Sequence, residues 1–488
     1  MNLHRHAINM VAASIDRANI DSVSHLNSMN DNNVVVGLNG ALQKRFVLAG
    51  DHVLVPGNVH RAASVSFGVG GKGQDAAIAL HCLSEGGGPL DRDKNSDGDS
   101  DAVVNTTSSC NNIRLVQFIG RGSTGDTVYN LLKDRMGEKA LEFTVRSSTE
   151  MRTCTSIVSS DDTTELVEPS GIIAKGELDA LFSVLCTRNK ENKPDDNGFA
   201  RSLCIMGSMP PGCPEDTYAR IYSETTGPNS VCVVDSLAGI RPLLQTIADL
   251  SKNGDSTGPL LFKINASELC KLAGTSKSND ENGGISVSEL IDAIEGFLKK
   301  FSIATNDVDA TSGVIGLAVT DGKYNAYFVS IRSNHCQEEQ ESLSPSFWVF
   351  KLPVPDLNDK ISRTLYPIGA GDAVAAGTVG AWTSLSATNT AGSSSPFPPV
   401  IPEDSFASLD EFVEIILNHC SENTFGLSRV QVQAMAAFAF GLACGSASCL
   451  LEENSILDTM DVKRLFKVMV NSPPELIHKT TIRRPEVF

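Results

Sequence analysis

Basic residues are in short supply. Lys and Arg number 40 against 58 Asp and Glu, a net charge of −18, and the isoelectric point is near 4.9. That balance excludes nucleic acid and anionic membrane surfaces as partners. It does not exclude a small anionic substrate, because a local basic pocket can sit in an acidic surface. Also lacking are CxxC pairs: the 12 cysteines are scattered, several in apolar runs such as those around Cys204, Cys232, Cys444 and Cys449. This excludes a disulfide framework or a zinc ribbon and suits buried thiols in a reducing compartment. No apolar run reads as long enough to cross a membrane. The first thirty residues carry Arg5 and Arg17 beside Asp16 and Asp21, with no long apolar core, which argues against a secretory signal. A cytoplasmic protein is the expectation, with organelle import left open. There is no internal repeat and no Walker A loop, since Lys72 is followed by Gly73.

What is present is alternation. Residues 1–32 are polar and rich in Asn and Ser and read as a flexible tail. Val34-Val35-Val36 opens the first strand, and Phe46 to Phe67 alternates apolar with polar residues in the manner of half-exposed strands. Leu115–Ile119, Leu203–Met206, Val231–Val234, Leu260–Lys263 and Val314–Val319 are short apolar runs between helical stretches. Thr155–Val158 and Thr164–Val167 form a hairpin. Such runs predict a parallel sheet covered on both faces, with ligands bound beyond the carboxyl ends of the strands. Polar segments at 84–112, 187–199, 251–258, 275–284, 334–345 and 386–397 read as inserts that bury too little apolar surface to order themselves. Without them, residues 33–471 make one domain, followed by a second tail at 472–488.

The most informative stretch is Tyr366-Pro367-Ile368-Gly369-Ala370-Gly371-Asp372, followed by small helix-compatible residues as far as Trp382. A glycine turn opening into a helix presents free amides and a positive dipole end to an anion. A carboxylate placed there is a working base or, alternatively, a helix cap. Lys72 between glycines meets a phosphate or sugar oxygen, or is a solvated loop lysine. Arg152, entering a strand, is an anion clamp or a surface arginine. Asn265 and Glu268, one helical turn apart after a strand, suit Mg²⁺ or a helix cap equally. Ala434–Cys449, all small residues, is a helix that packs closely on the one after Asp372. Gly68-x-Gly70-x-x-Gly73 and Gly120-x-Gly122-x-x-Gly125 both fit the dinucleotide pattern GxGxxG; two matches in one chain show how readily it arises.

Together these pieces resemble the PfkB (ribokinase-like) carbohydrate kinase family, most closely its sugar-phosphate branch of fructose-1-phosphate, fructose-6-phosphate and tagatose-6-phosphate kinases. Gly369-Ala370-Gly371-Asp372 matches the GAGD signature, and Gly70-Gly71-Lys72-Gly73 the glycine-rich substrate loop. Gly207-Ser208-Met209-Pro210-Pro211-Gly212 is similar to GSLPPG. Lys263-Ile264-Asn265-Ala266-Ser267-Glu268 is similar to KPNxxE, Val234-Asp235-Ser236 to VDSSG, and Gly445-Ser446-Ala447 to a late GSA. The resemblance spans about Val34 to Leu450.

It implies an α/β, ribokinase-like three-layer parallel sheet with helices on both faces and a small β-sheet lid, supplied by 44–68 and 152–170. It implies ATP and Mg²⁺ and a sugar or sugar-phosphate acceptor. Asp372 would be the base, and Gly369, Ala370 and Gly371 the anion hole. Lys263, Asn265, Glu268, Thr320, Gly322 and Asn325 would serve the nucleotide, with Glu268 and Asn265 toward the metal. Gln43, Gly71, Lys72, Asp75, Arg152 and Ser208 would serve the acceptor, and the lids would pair two copies into a homodimer. The sequence departs from the family twice: NPAxD reads Asn39-Gly40-Ala41-Leu42-Gln43, and GGKGxN ends in Asp75. Those changes motivate two rivals to the branch's usual activity, a different acceptor and a member that binds without turning over. An NAD-linked oxidoreductase is a third reading, from the GxGxxG matches.

Overall fold

The computed structural model describes residues 32–50, 53–85, 112–159, 163–190, 199–255, 257–277, 283–302, 313–332, 346–357, 365–387, 400–401, 403–422 and 427–481. Ten strands form one large sheet and four a small one. Seven strands of the large sheet run parallel: β1 (Asn33–Val36), β4 (Ile113–Arg121), β5 (Thr144–Glu150), β8 (Ser202–Met206), β9 (Val231–Asp235), β10 (Leu260–Asn265) and β11 (Val314–Asp321). Three more, β12 (Asn325–Arg332), β13 (Ser346–Leu352) and β14 (Glu475–Thr481), extend it antiparallel beyond β11. The order is β14-β13-β12-β11-β10-β9-β8-β1-β4-β5.

Two expectations change here. The sheet is parallel only over these seven strands. The segment 472–488, expected as a tail, contains the edge strand Glu475–Thr481. Its sequence carries too few apolar residues, Leu476 and Ile477, to announce a strand, and pairing with β13 is what orders it. Of the expected inserts, 251–258 is partly regular, since the helix Ile240–Lys252 runs into it. The helix Lys175–Lys190 likewise runs into 187–199; half of 275–284 and most of the remaining inserts lie outside the described residues.

The β-branched runs work as expected for a sheet covered on both sides. Val34 and Val36 join one apolar core and Val35 the other, as a period of two requires. One face is covered by the helices Lys175–Lys190, Thr217–Thr225, Ile240–Lys252, Ala266–Ala273 and Val287–Ser302. The opposite face carries Lys72–Glu85, Ala370–Ala387, Arg429–Ser448 and Thr459–Val470. Ala370–Ala387 and Arg429–Ser448 approach until only small residues fit. A Cβ on Gly441 would lie 2.3 Å from Thr378 Oγ1, and one on Gly445 2.8 Å from the Ala370 carbonyl oxygen. By length and composition Arg429–Ser448 could cross a membrane, contrary to the reading from the sequence, but 94% of its apolar window is buried inside the protein. It is a core helix.

The small sheet has the order β3-β2-β6-β7, from β2 (Ala41–Leu48), β3 (Ala62–Gly70), β6 (Thr153–Val158) and β7 (Thr163–Val167). Register decides its two faces. Lys44 pairs with Phe67 and Thr155, Phe46 with Val65 and Ile157, and Thr155 with Leu166, so these residues share one face. Gln43, Arg45, Cys154 and Ser156 share the other, and all four are buried.

Candidate active site

The candidate residues collect where the parallel strands end. Asp235 closes β9 and is 1% exposed. Lys263, in β10, donates to its Oδ2 at 2.6 Å, and Lys72, at the start of the helix Lys72–Glu85, donates to its Oδ1 at 2.8 Å. Lys72 also lies 3.4 Å from Glu268 Oε1. Burial by itself would raise the Asp235 carboxyl, but the two ammonium groups outweigh it and hold Asp235 below the usual carboxylate range. Burial likewise lowers Lys72, yet Asp235, Asp372 and Glu268 more than offset it, so Lys72 stays charged.

Asp372 stands in the first turn of Ala370–Ala387. The turn before it needs Gly369, whose φ is +81° and whose carbonyl accepts the amides of Asp372 at 3.0 Å and Ala373 at 2.9 Å. Gly371 is small for a different reason: a Cβ there would lie 3.0 Å from Lys263 Nζ. Burial, then the charge of Asp235, push the Asp372 carboxyl up, Lys72 and Lys263 pull it back, and it comes to about 7. Two ammonium groups thus face the three carboxyls of Asp235, Glu268 and Asp372. The cluster balances only when one carboxyl carries a proton, and Asp372 is the one so tuned. Of the expected anion-hole amides, that of Ala370 is already donated to the Pro367 carbonyl at 3.2 Å.

A cavity of about 440 Å³ opens beside this cluster, and Asn39, Lys72, Arg152, Ser208 and Glu268 line it. Arg152 is fixed by donating to the carbonyls of Asn39 at 2.8 Å and Gly40 at 3.3 Å. Asn39 donates to Ser208 Oγ at 2.9 Å and accepts from Ser170 at 2.7 Å, bridging the small sheet to the strand-end loops. Gly71 closes the loop ahead of Lys72 at φ +113°. Gln43 and Asp75 do not line this cavity. Gln43 donates to Ser156 within the small sheet. Asp75 is buried, its Oδ1 meeting no partner among the described residues. Burial and the charges of Asp372 and Glu165 raise its carboxyl well above the ordinary range, against Arg45 and Arg135.

Asn265 and Glu268 form a capping box. The Asn265 side chain accepts the Glu268 amide at 2.8 Å, and Glu268 Oε2 accepts the Asn265 amide at 3.2 Å. The geometry is that of the cap reading of these residues. Thr320 lies beside Asn265 through the β10–β11 pairing, and Asn325 opposite Asp321 across the Gly322 turn. Asp321 ties that turn to its surroundings, accepting from Lys277 at 2.5 Å and from the Ile285 amide at 2.6 Å. No group of three or more His, Cys, Asp or Glu able to hold a metal occurs among the described residues. The hard oxygens of Glu268 and Asn265 fit Mg²⁺ only as a partial shell, the arrangement expected where phosphate oxygens and water supply the rest.

Sequence reasoning missed two members as site residues, Asp235 and Asn39. Asp235 ends β9 as Asn265 ends β10, so the strand-end rule that selected one could have selected the other, while Asn39 lies in the loop between β1 and β2. The second GxGxxG match has a packing explanation. A Cβ on Gly125 would fall 1.8 Å from the Gly120 carbonyl oxygen, and one on Gly120 2.3 Å from the Met151 amide nitrogen.

The class follows from the architecture: this is a ribokinase-like α/β fold with a small-sheet lid over the strand ends. Among solved structures, phosphofructokinase-2 from Escherichia coli in complex with potassium is similar at 15% identity and a TM-score of 0.52, over 90% of this chain and 99% of that one. The same enzyme in complex with fructose-6-phosphate is similar at 16% identity and a TM-score of 0.51, with the same coverage. At such identities the likeness is one of fold. No family model and no curated protein matches the sequence.

Proposed function

We propose that the protein is an ATP- and Mg²⁺-dependent kinase that phosphorylates a hydroxyl of a sugar or sugar phosphate. The observation carrying this reading is the buried Asp372 carboxyl, tuned to about 7, at a helix N-terminus flanked by Lys72 and Lys263. Phosphoryl transfer needs positioning and charge stabilisation more than covalent chemistry. Asp372 takes the proton of the acceptor hydroxyl as the oxygen attacks phosphorus; a general base tuned near the working pH serves best. Lys72 and Lys263, held by Asp235, keep positive charge against the phosphoryl oxygens as charge shifts toward the leaving group. Arg152 and Ser208 orient the acceptor, with Arg152 suited to a phosphate or a hydroxyl-rich edge. When bound, Mg²⁺ would neutralise polyphosphate charge beside Glu268 and Asn265. The similar enzyme's complex with fructose-6-phosphate makes hexose phosphates the first acceptors to test. The deciding experiment is ADP release with Mg·ATP across hexoses, hexose phosphates, pentoses and nucleosides. Turnover on at least one is expected; ATP binding without turnover on any would remove the kinase reading.

Pairing of two copies through the small sheet belongs to the same proposal. Phe67 and Leu166 are each 58% exposed and Val65 48% on its outer face, and a patch of that kind favours contact over solvent. A tetrameric inhibited form is known for the similar phosphofructokinase-2, so solution mass must separate two copies from four.

A further inference from the structure

A second cavity, of about 680 Å³, lies beside the small sheet where β2 and β3 approach the large domain. It runs from Gln43 and Arg45 along the helix Lys72–Glu85 to its last residue, and the far wall is the helix Gly122–Met136 with the loop 451–457. It shares no lining residue with the Lys72 cavity, and its far end, at Glu85, lies thirteen residues beyond Lys72 on the same helix. Ile78, Leu131, Leu451 and Ile456 give it apolar sides.

Two guanidinium groups enter it from different walls, Arg45 from β2 and Arg135 from the helix. Arg45 is 4% exposed. One of its terminal nitrogens donates to Asn454, but its Nε meets no acceptor among the described residues. A buried N–H of this kind calls for an oxygen. Arg135 donates to Glu453 at 2.5 Å. Consecutive residues of one loop thus hold the two arginines. The next residue, Ser455, sits in the left-handed region at φ +56° and donates its hydroxyl to the Gly369 carbonyl at 3.1 Å. Gly369 is the turn that presents Asp372.

We propose that this cavity is a second ligand site, taking a small oxyanion-bearing molecule between Arg45 and Arg135, and that Glu453–Ser455 transmit its occupancy to the Gly369 turn. Guanidinium groups bind carboxylate and phosphate in paired hydrogen bonds. An incoming anion supplies the acceptor that Arg45 Nε lacks and competes with the exposed Glu453 for Arg135. The loop is then released from one arginine, and its grip on the Gly369 carbonyl changes with it. Binding itself does not depend on the kinase reading; only the consequence for turnover does.

The test uses the full chain, with inorganic phosphate and citrate as separate probes at matched ionic strength, read by thermal shift and by hydrogen exchange over residues 451–457. At least one probe should raise the melting temperature and change exchange in that segment; phosphate alone points to a phosphorylated ligand, citrate alone to a carboxylate. Arg135→Ala and Arg45→Gln should each weaken the half-maximal response at least about tenfold, the loss of one good charge-assisted pair. Lys72→Ala should leave it unchanged. Equal responses in Arg135→Ala and the parent, loss only in Lys72→Ala, or no response to either probe would overturn the proposal. If Arg45→Gln does not fold, Arg135→Ala decides alone, because its side chain is 31% exposed and its removal spares the core. Failure of turnover in the ADP assay with an intact probe response would sink the kinase reading and leave this site standing.

Discussion

The large sheet and the small sheet use the same strand chemistry to opposite ends. In the large one both faces are apolar and covered, and the candidate site residues Asp235, Lys263 and Asn265 lie at the ends of strands. In the small one the polar side chains lie along a face rather than at strand ends. Gln43, Arg45 and Ser156 are polar and buried toward the protein, while Val65, Phe67 and Leu166 are apolar and exposed. Apolar-inside patterning fails there because the covered face carries Gln43, Arg45 and Ser156, with Gln43 hydrogen-bonded to Ser156 and Arg45 to Asn454. What a strand does depends on what covers it, not on its alternation.

Four outcomes would sharpen or break that contrast. The largest effect belongs to the strand-end site: Asp372→Asn is expected to cut turnover by about 10²–10⁴ with ATP binding nearly intact, measured by ADP release and nucleotide titration. Parent-like turnover would take the chemistry away from the strand ends.

Next, Asp235→Asn leaves Lys263 buried without a full charge partner and should cost roughly 3–5 kcal/mol of stability; a chemical denaturation midpoint unchanged from the parent would show that the triad is not what holds the end of β9 to β10.

Third is the pH dependence. The base must be unprotonated, so kcat/KM should fall about tenfold per pH unit below about 7. The sign for stability is opposite. The folded carboxyl keeps a proton that the unfolded one, near 3.8, has already lost. Stability from this group is therefore present at low pH and lost as pH rises toward 7. Asp372→Asn should accordingly gain in melting temperature relative to the parent at pH 8 and not at pH 4. A flat difference between the two pH values would contradict the tuning.

The smallest effect is on the outer face of the small sheet. Phe67→Glu should leave melting of the fold unchanged and weaken self-association by about 30-fold or more, the size of an interface hot spot of ~2 kcal/mol, seen by light scattering across a dilution series. An unchanged mass would leave that face without the role proposed for it.

Much of the architecture was legible. Short apolar runs between helical stretches gave the parallel strands, because such runs are stable only with cover on both faces. Gly369 and Gly371 marked a turn into a helix, and the structure explains each separately, one by its φ and the other by Lys263. The strand Glu475–Thr481 was not legible, since an edge strand borrows its order from a neighbour distant in sequence. Nor were the positions of Gln43 and Asp75. One is tied to Ser156, more than a hundred residues away, and the other is buried behind the Lys72 loop.

The sequence by itself determined most of the parallel strands, where the small residues allow two helices to touch, and that lysine, asparagine and carboxylate residues come at strand ends. Those follow from local periodicity and side-chain size. Only the tertiary structure decided that Lys72 and Lys263 share Asp235, that Asp372 is thereby poised near neutrality, and that Arg45 faces a cavity with Arg135. Charges acquire their value from neighbours and burial, and residues far apart in the chain become neighbours only when the sheets close over one another.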